Sequence, residues 1–479
     1  MILSPTQLER FGALLGPGGV LTAPEEIAPF CADWRGRERG HAPCVLLPAS
    51  TAACAALVGF CAEQHLPLCP QGGGTGLVLG AVPNGEILLS LKRLNRIRHV
   101  DPINDALIVE AGVPLVAVQE CAKAHDRLFP LSLASEGSAL IGGLCATNAG
   151  GVGVLQYGMM RDLVLGLEVV LPDGRVWDGL TALRKDNSGL DLKHLFLGAE
   201  GILGVITAAS LKLFPLPKGY STALAATSDL AKAVALLTFA KARTRGQVTA
   251  FEAMPALGIK LVCDQFPGTR SPLALAHPWH LLIEISHASP ANTGEDMEGL
   301  LAEAAREGLL LDGVIANSEA QRQDFWALRE RLPLSEKAFG AALKHDISVP
   351  ISAIAEFYDA ALARVAQIAP MAQVIAFGHL GDGNLHFNVA MAQGGPLGAL
   401  APLEGEVTGA ILDLVAFHRG SFSAEHGIGR QKLVDMRARK SPVALDLMRA
   451  IKQALDPLGL MNPGRVIPPA PLNQEGQSP

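Results

Sequence analysis

Two glycine-rich runs in the first half of this chain limit its fold more than any other feature. The first, Gln71–Gly80, follows the short apolar stretch LPLCP, and the second spans Gly137–Gly158. Of 51 glycines in 479 residues, 21 fall between Gly72 and Gly204. A backbone so rich in glycine turns through positive φ, or lets another group reach the main chain with no Cβ in the way. There is no Gly-X-Y period, and 49 % of residues are hydrophobic, which excludes collagen and disorder. The length favours two or three domains, each able to bury a core.

Bare N–H groups just beyond a strand suit a phosphate. A dinucleotide fingerprint is nevertheless missing. Leu79 stands where Gly74-x-Gly76 needs a third glycine, and the chain has no Gly-Lys pair for a Walker A loop. A Rossmann or P-loop site is poorly supported, and one such loop alone reads equally as a set of tight turns. The second run offers small side chains, hydroxyls and an amide over a stretch long enough to wrap an extended cofactor.

A net charge of −7 with only 5 % aromatics argues against nucleic acid. No apolar run reaches the length of a spanning helix, so no transmembrane segment is expected. The start, MILSPTQLERF, lacks the features of a signal peptide. Eight cysteines show no Cys-x-x-Cys spacing. That argues against iron–sulfur clusters and cysteine-only zinc sites, and reads as buried, reduced thiols in a cytoplasmic protein.

Strand- and helix-like stretches alternate up to Phe214, including LVLGLEVVLPDGRVW around the turn pair Asp173-Gly174. After the breakers Pro215 and Pro217 the texture becomes strands (Gln247–Ala253, His280–Ser286, Lys344–Val349) alternating with amphipathic helices. This predicts an α+β domain, an antiparallel sheet with helices on one face. The expected division is 1–217, 218–420, a C-terminal segment 421–467 that completes the site, and a disordered tail 468–479.

FGHLGDGNLHFNV (377–389) carries chemistry that geometry alone can read. Asp382-Gly383 is a strong type I′ hairpin signal. If those two residues form the loop, His379 faces His386 directly, with Cβ atoms about 4.5–5.5 Å apart, and Phe377 pairs with Asn388. Such imidazoles can share a divalent metal, although a hairpin with two half-buried histidines has the same pattern. Ser423-Ala-Glu425-His426-Gly427-Ile-Gly429 supplies a carboxylate beside a third histidine. Two histidines and one carboxylate make an open site for zinc, manganese or iron.

The ordered motifs resemble one family. Pro70-Gln71-Gly72-Gly73-Gly74-Thr75-Gly76-Leu77-Val78 and Ile141-Gly142-Gly143-Leu-Cys-Ala-Thr147-Asn148-Ala-Gly150-Gly151 look like the two FAD loops of the vanillyl-alcohol-oxidase (PCMH-type) flavoprotein fold. LGLEVVLPDG (165–174), KDNSGLDLKHLFLGAEGILGVIT (185–207) and MNPGRV (461–466) are similar to further landmarks in the same order. The match covers roughly 30–467 and points to the FAD-linked D-2-hydroxyacid dehydrogenases. The resemblance implies a PCMH-type FAD domain with a ferredoxin-like, antiparallel cap domain. It implies non-covalent FAD held by the first loop, by Gly137 and Ser138 through Gly151, and by Tyr157, Gly158, Glu200, Gly201, Gly204, Ile206 and Asn462. His379, His386 and Glu425 match the family's metal ligands, zinc foremost, and His426 its active-site base. Arg329 and Lys344 match a pair that binds the distal carboxylate of D-2-hydroxyglutarate; Asn388 is a further substrate residue, and Asn384 another candidate.

The substrate implied is D-2-hydroxyglutarate, with D-malate as a second and D-lactate or glycolate as alternatives. Pro333 departs from the pattern, standing where those dehydrogenases often have a hydroxyl residue. Electrons would leave to an electron-transferring flavoprotein or a quinone-linked carrier, and the likeness suggests a homodimer. A non-catalytic scaffold and a nicotinamide-dependent reductase are the competing readings. A colourless, metal-free protein would speak for the scaffold, and the missing fingerprint weakens the reductase.

Overall fold

Two units account for the chain, one formed by Met1–Gly150, Met159–Leu216 and Glu425–Pro479, the other by Gly151–Gly158 and Pro217–Ala424. The computed structural model describes residues 1–289, 295–335, 342–392, 395–396 and 398–470. Most of the expected C-terminal tail, from 471 on, lies outside the described residues.

In the first unit, the Ser50 hydroxyl accepts the Ala53 N–H (3.1 Å) and opens the helix Thr51–Glu63. Cys54, Leu57, Val58 and Cys61 on this helix pack with Leu46, Leu68, Ile87 and Leu89 of a four-stranded sheet, and with Val170 and Val205 of a five-stranded antiparallel one. Strands Val45–Leu46 and Leu68–Gln71 both run parallel to Ile87–Ser90. That parallel pairing brings the first glycine loop out at a strand end. The C-terminal segment is tied to the same strand, since Leu68 N–H donates to Leu460 O and Asn462 N–H to Leu68 O (2.9 and 2.8 Å). All eight cysteines are unpaired, six buried and Cys121 and Cys263 partly exposed.

The second unit holds a seven-stranded antiparallel sheet: β1 (Gly219–Thr227), β2 (Val248–Pro255), β3 (Trp279–His287), β4 (Asp312–Ile315), β5 (Leu343–Ser348), β6 (Ala372–His379) and β7 (Asn384–Met391), in the order β4-β1-β3-β2-β6-β7-β5. Helices cover both faces, not one as the sequence texture predicts. Ala223, Ala225, Phe251, Ile283 and Ile285 face a core with helices Leu230–Arg243, Glu295–Arg306 and Ile354–Ile368. Leu224, Ala226, Ala250, Met254 and Leu282 face another core with helices Ala256–Gln265 and Glu319–Glu330. The physical reason is visible in β1: STALAAT has no polar face to give to water, so both sides must be covered. Segment 151–158 packs here too, with Val152 against one core and Leu155 against the other.

Candidate active site

On the first unit, the two glycine loops touch each other through their missing side chains. A Cβ on Gly73 would lie 2.0 Å from the Ser138 carbonyl oxygen, and one on Gly72 would lie 3.4 Å from Gly143 Cα. Gly74 (φ +72°), Gly76 and Gly137 instead face open space, with nothing within 4 Å of an added Cβ. The paired loops thus present bare main chain to open space, as a pyrophosphate-bearing cofactor requires. Asn148 ends the helix Ile141–Thr147 in the left-handed region (φ 50°), and its side-chain oxygen accepts the Arg161 N–H (2.8 Å). Thr147 donates its hydroxyl to Gly143 O (3.0 Å). Gly201 packs on Pro70, and Gly204 and Ile206 lead into the central strand Val205–Lys212. Of the residues expected at the cofactor, Gly151, Tyr157 and Gly158 belong to the second unit. Cys145 is fully buried and burial pushes its thiol up, which makes it a poor nucleophile.

Glu200 has a task that sequence reading misses. Its carboxylate accepts the N–H groups of Ile428 (2.7 Å) and Gly429 (2.9 Å), just beyond Glu425 and His426 in the chain. Burial pushes this carboxyl up, and the two N–H donors pull it part of the way back. The Asn462 amide donates to Gly80 O and Glu200 O (3.1 and 2.7 Å), and Val78 O accepts from Arg430 N–H (3.0 Å). The loop bearing Glu425 and His426 is therefore fastened to the first glycine loop by main-chain bonds. Gly429 is essential to that contact: at φ +53°, a Cβ would meet Val78 O at 2.0 Å. Gly429→Ala is expected to cost about 2–4 kcal/mol through clash and strain together. An unchanged melting temperature would refute this account of the loop.

On the second unit, the histidine hairpin forms, but in a different register. The connection is Leu380–Gly383, four residues, so Phe377 pairs with His386 and Ile375 with Asn388. The expected two-residue type I′ turn does not form, because Asp382 is not at positive φ; only Gly383 is (φ +87°). The N–H groups of Asp382 and Gly383 both donate to His379 O (3.3 and 3.2 Å), and Val349 N–H donates to Gly383 O (3.1 Å). His379 and His386 are thus diagonal rather than opposed. They remain on one face, with ring centroids 5.9 Å apart.

That face turns polar at this end of the sheet. Across β5 and β7, Lys344 pairs with Asn388, Asp346 with His386 and Ser348 with Asn384; across β2 and β6, Glu252 pairs with His379. Glu252 is buried; Oε1 lies 2.7 Å from His379 Nδ1, and Oε2 accepts Arg329 Nε–H at 2.6 Å. Burial pushes its carboxyl up, but the opposing charges of His379 and Arg329 prevail and hold it at about 2. The buried Arg329 guanidinium also lies 5.0 Å from the centre of the Phe377 ring. Lys344 is exposed. Asn384 donates to Asp346 Oδ1 (3.0 Å) and Ile347 O (2.9 Å), and Asn388 is buried. The helix carrying Arg329 ends at Glu330, and Pro333 lies exposed in the short turn Leu332–Ser335 that follows. Ala424 N–H donates to Asp346 O (3.2 Å), so the chain leaves this unit for Glu425 one residue from the point where Asp346 faces His386.

Glu252 is the residue that sequence analysis overlooks. Its signal was a single carboxylate inside an apolar strand, VTAFEAMP, which must find cationic partners to be buried.

A family model for the C-terminal domain of FAD-linked oxidases matches residues 216–466, and one for an FAD-binding domain matches 42–179. The chain is 39 % identical over 456 residues to the mitochondrial D-2-hydroxyglutarate dehydrogenase of Bos taurus, covering 94 % of this chain and 82 % of the relative. It is 35 % identical to the Arabidopsis thaliana mitochondrial enzyme of the same name (97 % and 82 % covered). It is 33 % identical to a Saccharomyces cerevisiae D-2-hydroxyglutarate–pyruvate transhydrogenase (97 % and 95 %). Among solved structures, p-cresol methylhydroxylase with substrate bound superposes with a TM-score of 0.74 at 17 % identity, covering 97 % of each chain. Alkyldihydroxyacetonephosphate synthase superposes with 0.73 at 16 % identity, over 96 % of this chain and 85 % of the other. At such identities the two structures speak for the fold, the PCMH type that the glycine loops imply.

Proposed function

The chain belongs to the FAD-linked D-2-hydroxyacid dehydrogenases, and from that premise we propose that it oxidises D-2-hydroxyglutarate to 2-oxoglutarate, with D-malate as a second substrate. One observation carries the choice of a diacid. Arg329 is joined through Glu252 to His379, and Lys344 stands two residues from Asp346 on the face that bears both hairpin histidines. A second carboxylate needs cations there, and a monoacid does not.

We assign a divalent cation, zinc foremost, to His379, His386 and Glu425. The donor set fits: two imidazoles share a sheet face, and a carboxylate follows one peptide beyond Ala424. Such a cation, when bound, supplies Lewis acidity that lowers the pKa of an alcohol. FAD, when bound, supplies the hydride acceptor. The protein's own part is to hold and to deprotonate. Lys344 and Arg329 take the distal carboxylate, and Asn388 hydrogen-bonds the substrate. His426 accepts the proton of the 2-hydroxyl as general base, a role an imidazole can fill.

The test is anaerobic mixing of the purified protein with D-2-hydroxyglutarate, D-malate, D-lactate, glycolate and the L-forms, following loss of flavin colour. D-2-hydroxyglutarate is expected to lead D-lactate by about 10–100-fold in kcat/KM, the worth of one charge-assisted hydrogen bond of about 1.5–3 kcal/mol. D-lactate or glycolate in first place would reassign the substrate.

A further inference from the structure

We infer that Glu252 is a positioning residue that joins the diacid-binding cation to the metal site, an inference that rests on the metal and substrate reading above. A buried carboxylate in a sheet interior is costly unless both oxygens are engaged. Here they are engaged by two different functional groups: Oε1 by His379 Nδ1 at 2.7 Å and Oε2 by Arg329 Nε at 2.6 Å. Glu252 and His379 are direct cross-strand partners on β2 and β6, so main-chain pairing sets the contact. Ala250 and Met254, two residues to either side, face the apolar core beneath, which leaves the carboxylate nowhere else to turn.

The chemistry follows from imidazole. A ligating histidine presents one nitrogen lone pair, and the other nitrogen carries a proton that must be housed. A carboxylate on Nδ1 houses that proton, makes Nε2 the ligating atom and fixes the ring plane. Through its other oxygen, Oε2, Glu252 orients the guanidinium that we assign to the distal carboxylate. Metal affinity and diacid recognition therefore share one support, which a purely structural ion pair would not produce.

The experiment compares the FAD-loaded wild type with Glu252→Gln and Glu252→Asp, reading zinc affinity by chelator competition and KM for D-2-hydroxyglutarate. Gln is isosteric but offers only one acceptor oxygen for two donors, whereas Asp keeps both oxygens and the charge on a shorter stem. The Gln variant is expected to bind zinc about 10–100-fold more weakly than wild type. Its KM should rise and its FAD content stay full, while Asp recovers part of both losses. A folded Gln variant with zinc affinity within twofold of wild type overturns the inference. A wild type that takes up no zinc overturns the metal reading itself, and the inference with it. If neither variant folds, the zinc-loaded wild type decides through its histidine nitrogen resonances. A protonated Nδ1 on His379 upholds the inference, and ligation through Nδ1 overturns it.

Discussion

Replacing His426 by alanine is expected to leave FAD bound and the fold intact while substrate no longer bleaches the flavin, a loss of about 10²–10⁴-fold in reduction rate. The loop around His426 is held by bonds to the N–H groups of Ile428, Gly429 and Arg430. These are main-chain donors, and alanine keeps them all. The glycine cradle is built from main chain at 72–76 and 137–143 and is equally untouched. Rapid mixing without oxygen separates the flavin reduction step from later electron transfer. A His426→Ala protein reduced at the wild-type rate would remove His426 as the base.

The second large effect concerns Arg329, and it has two parts. Arg329 is buried and gives its Nε–H to Glu252, so alanine both deletes a cation and strips a buried carboxylate of one partner. Breaking a buried pair costs about 3–5 kcal/mol, which for a unit of this size lowers the melting temperature by roughly 6–20 °C. In activity, Arg329→Ala should damage D-2-hydroxyglutarate oxidation far more than D-lactate oxidation. Lys344→Ala supplies the control, since Lys344 is exposed on the edge strand and its removal should barely move the melting temperature. It should still weaken the diacid by about 10-fold while leaving D-lactate unchanged. Equal loss on both substrates in both variants would sink the diacid reading and leave the cations a structural role.

Much of the architecture could be read from the chain. Either Ser50 or Thr51 reads as a cap for the helix that follows, and Ser50 serves; the strand Ala106–Glu110 is likewise marked by a local signal. The second sheet was legible as antiparallel, but its coverage was not. A run such as STALAAT carries no alternation, and the polar positions His280, Glu284 and Ser286 of WHLLIEIS read as a wet face although the fold buries them.

The hairpin separates the two kinds of information most clearly. Side chains alternate with a period of two along a strand, so sequence alone placed His379 and His386 on one face, and an even shift of register leaves that unchanged. Which residue stands opposite which depended on the turn. The turn took four residues because Gly383 O accepts from Val349 and two N–H groups converge on His379 O, contacts made with a segment distant in sequence and with the folded loop itself. Likewise, the motifs by themselves marked Glu200 as part of a glycine-rich landmark and passed over Glu252. Only the tertiary structure gave Glu200 the 428–429 main chain to hold, and gave Glu252 both Arg329 and His379. Residue type and spacing determine which faces and loops a chain can offer. Buried carboxylates are assigned their partners by long-range packing, since the free energy of burying a charge is recovered only where the fold brings its counter-charges to it.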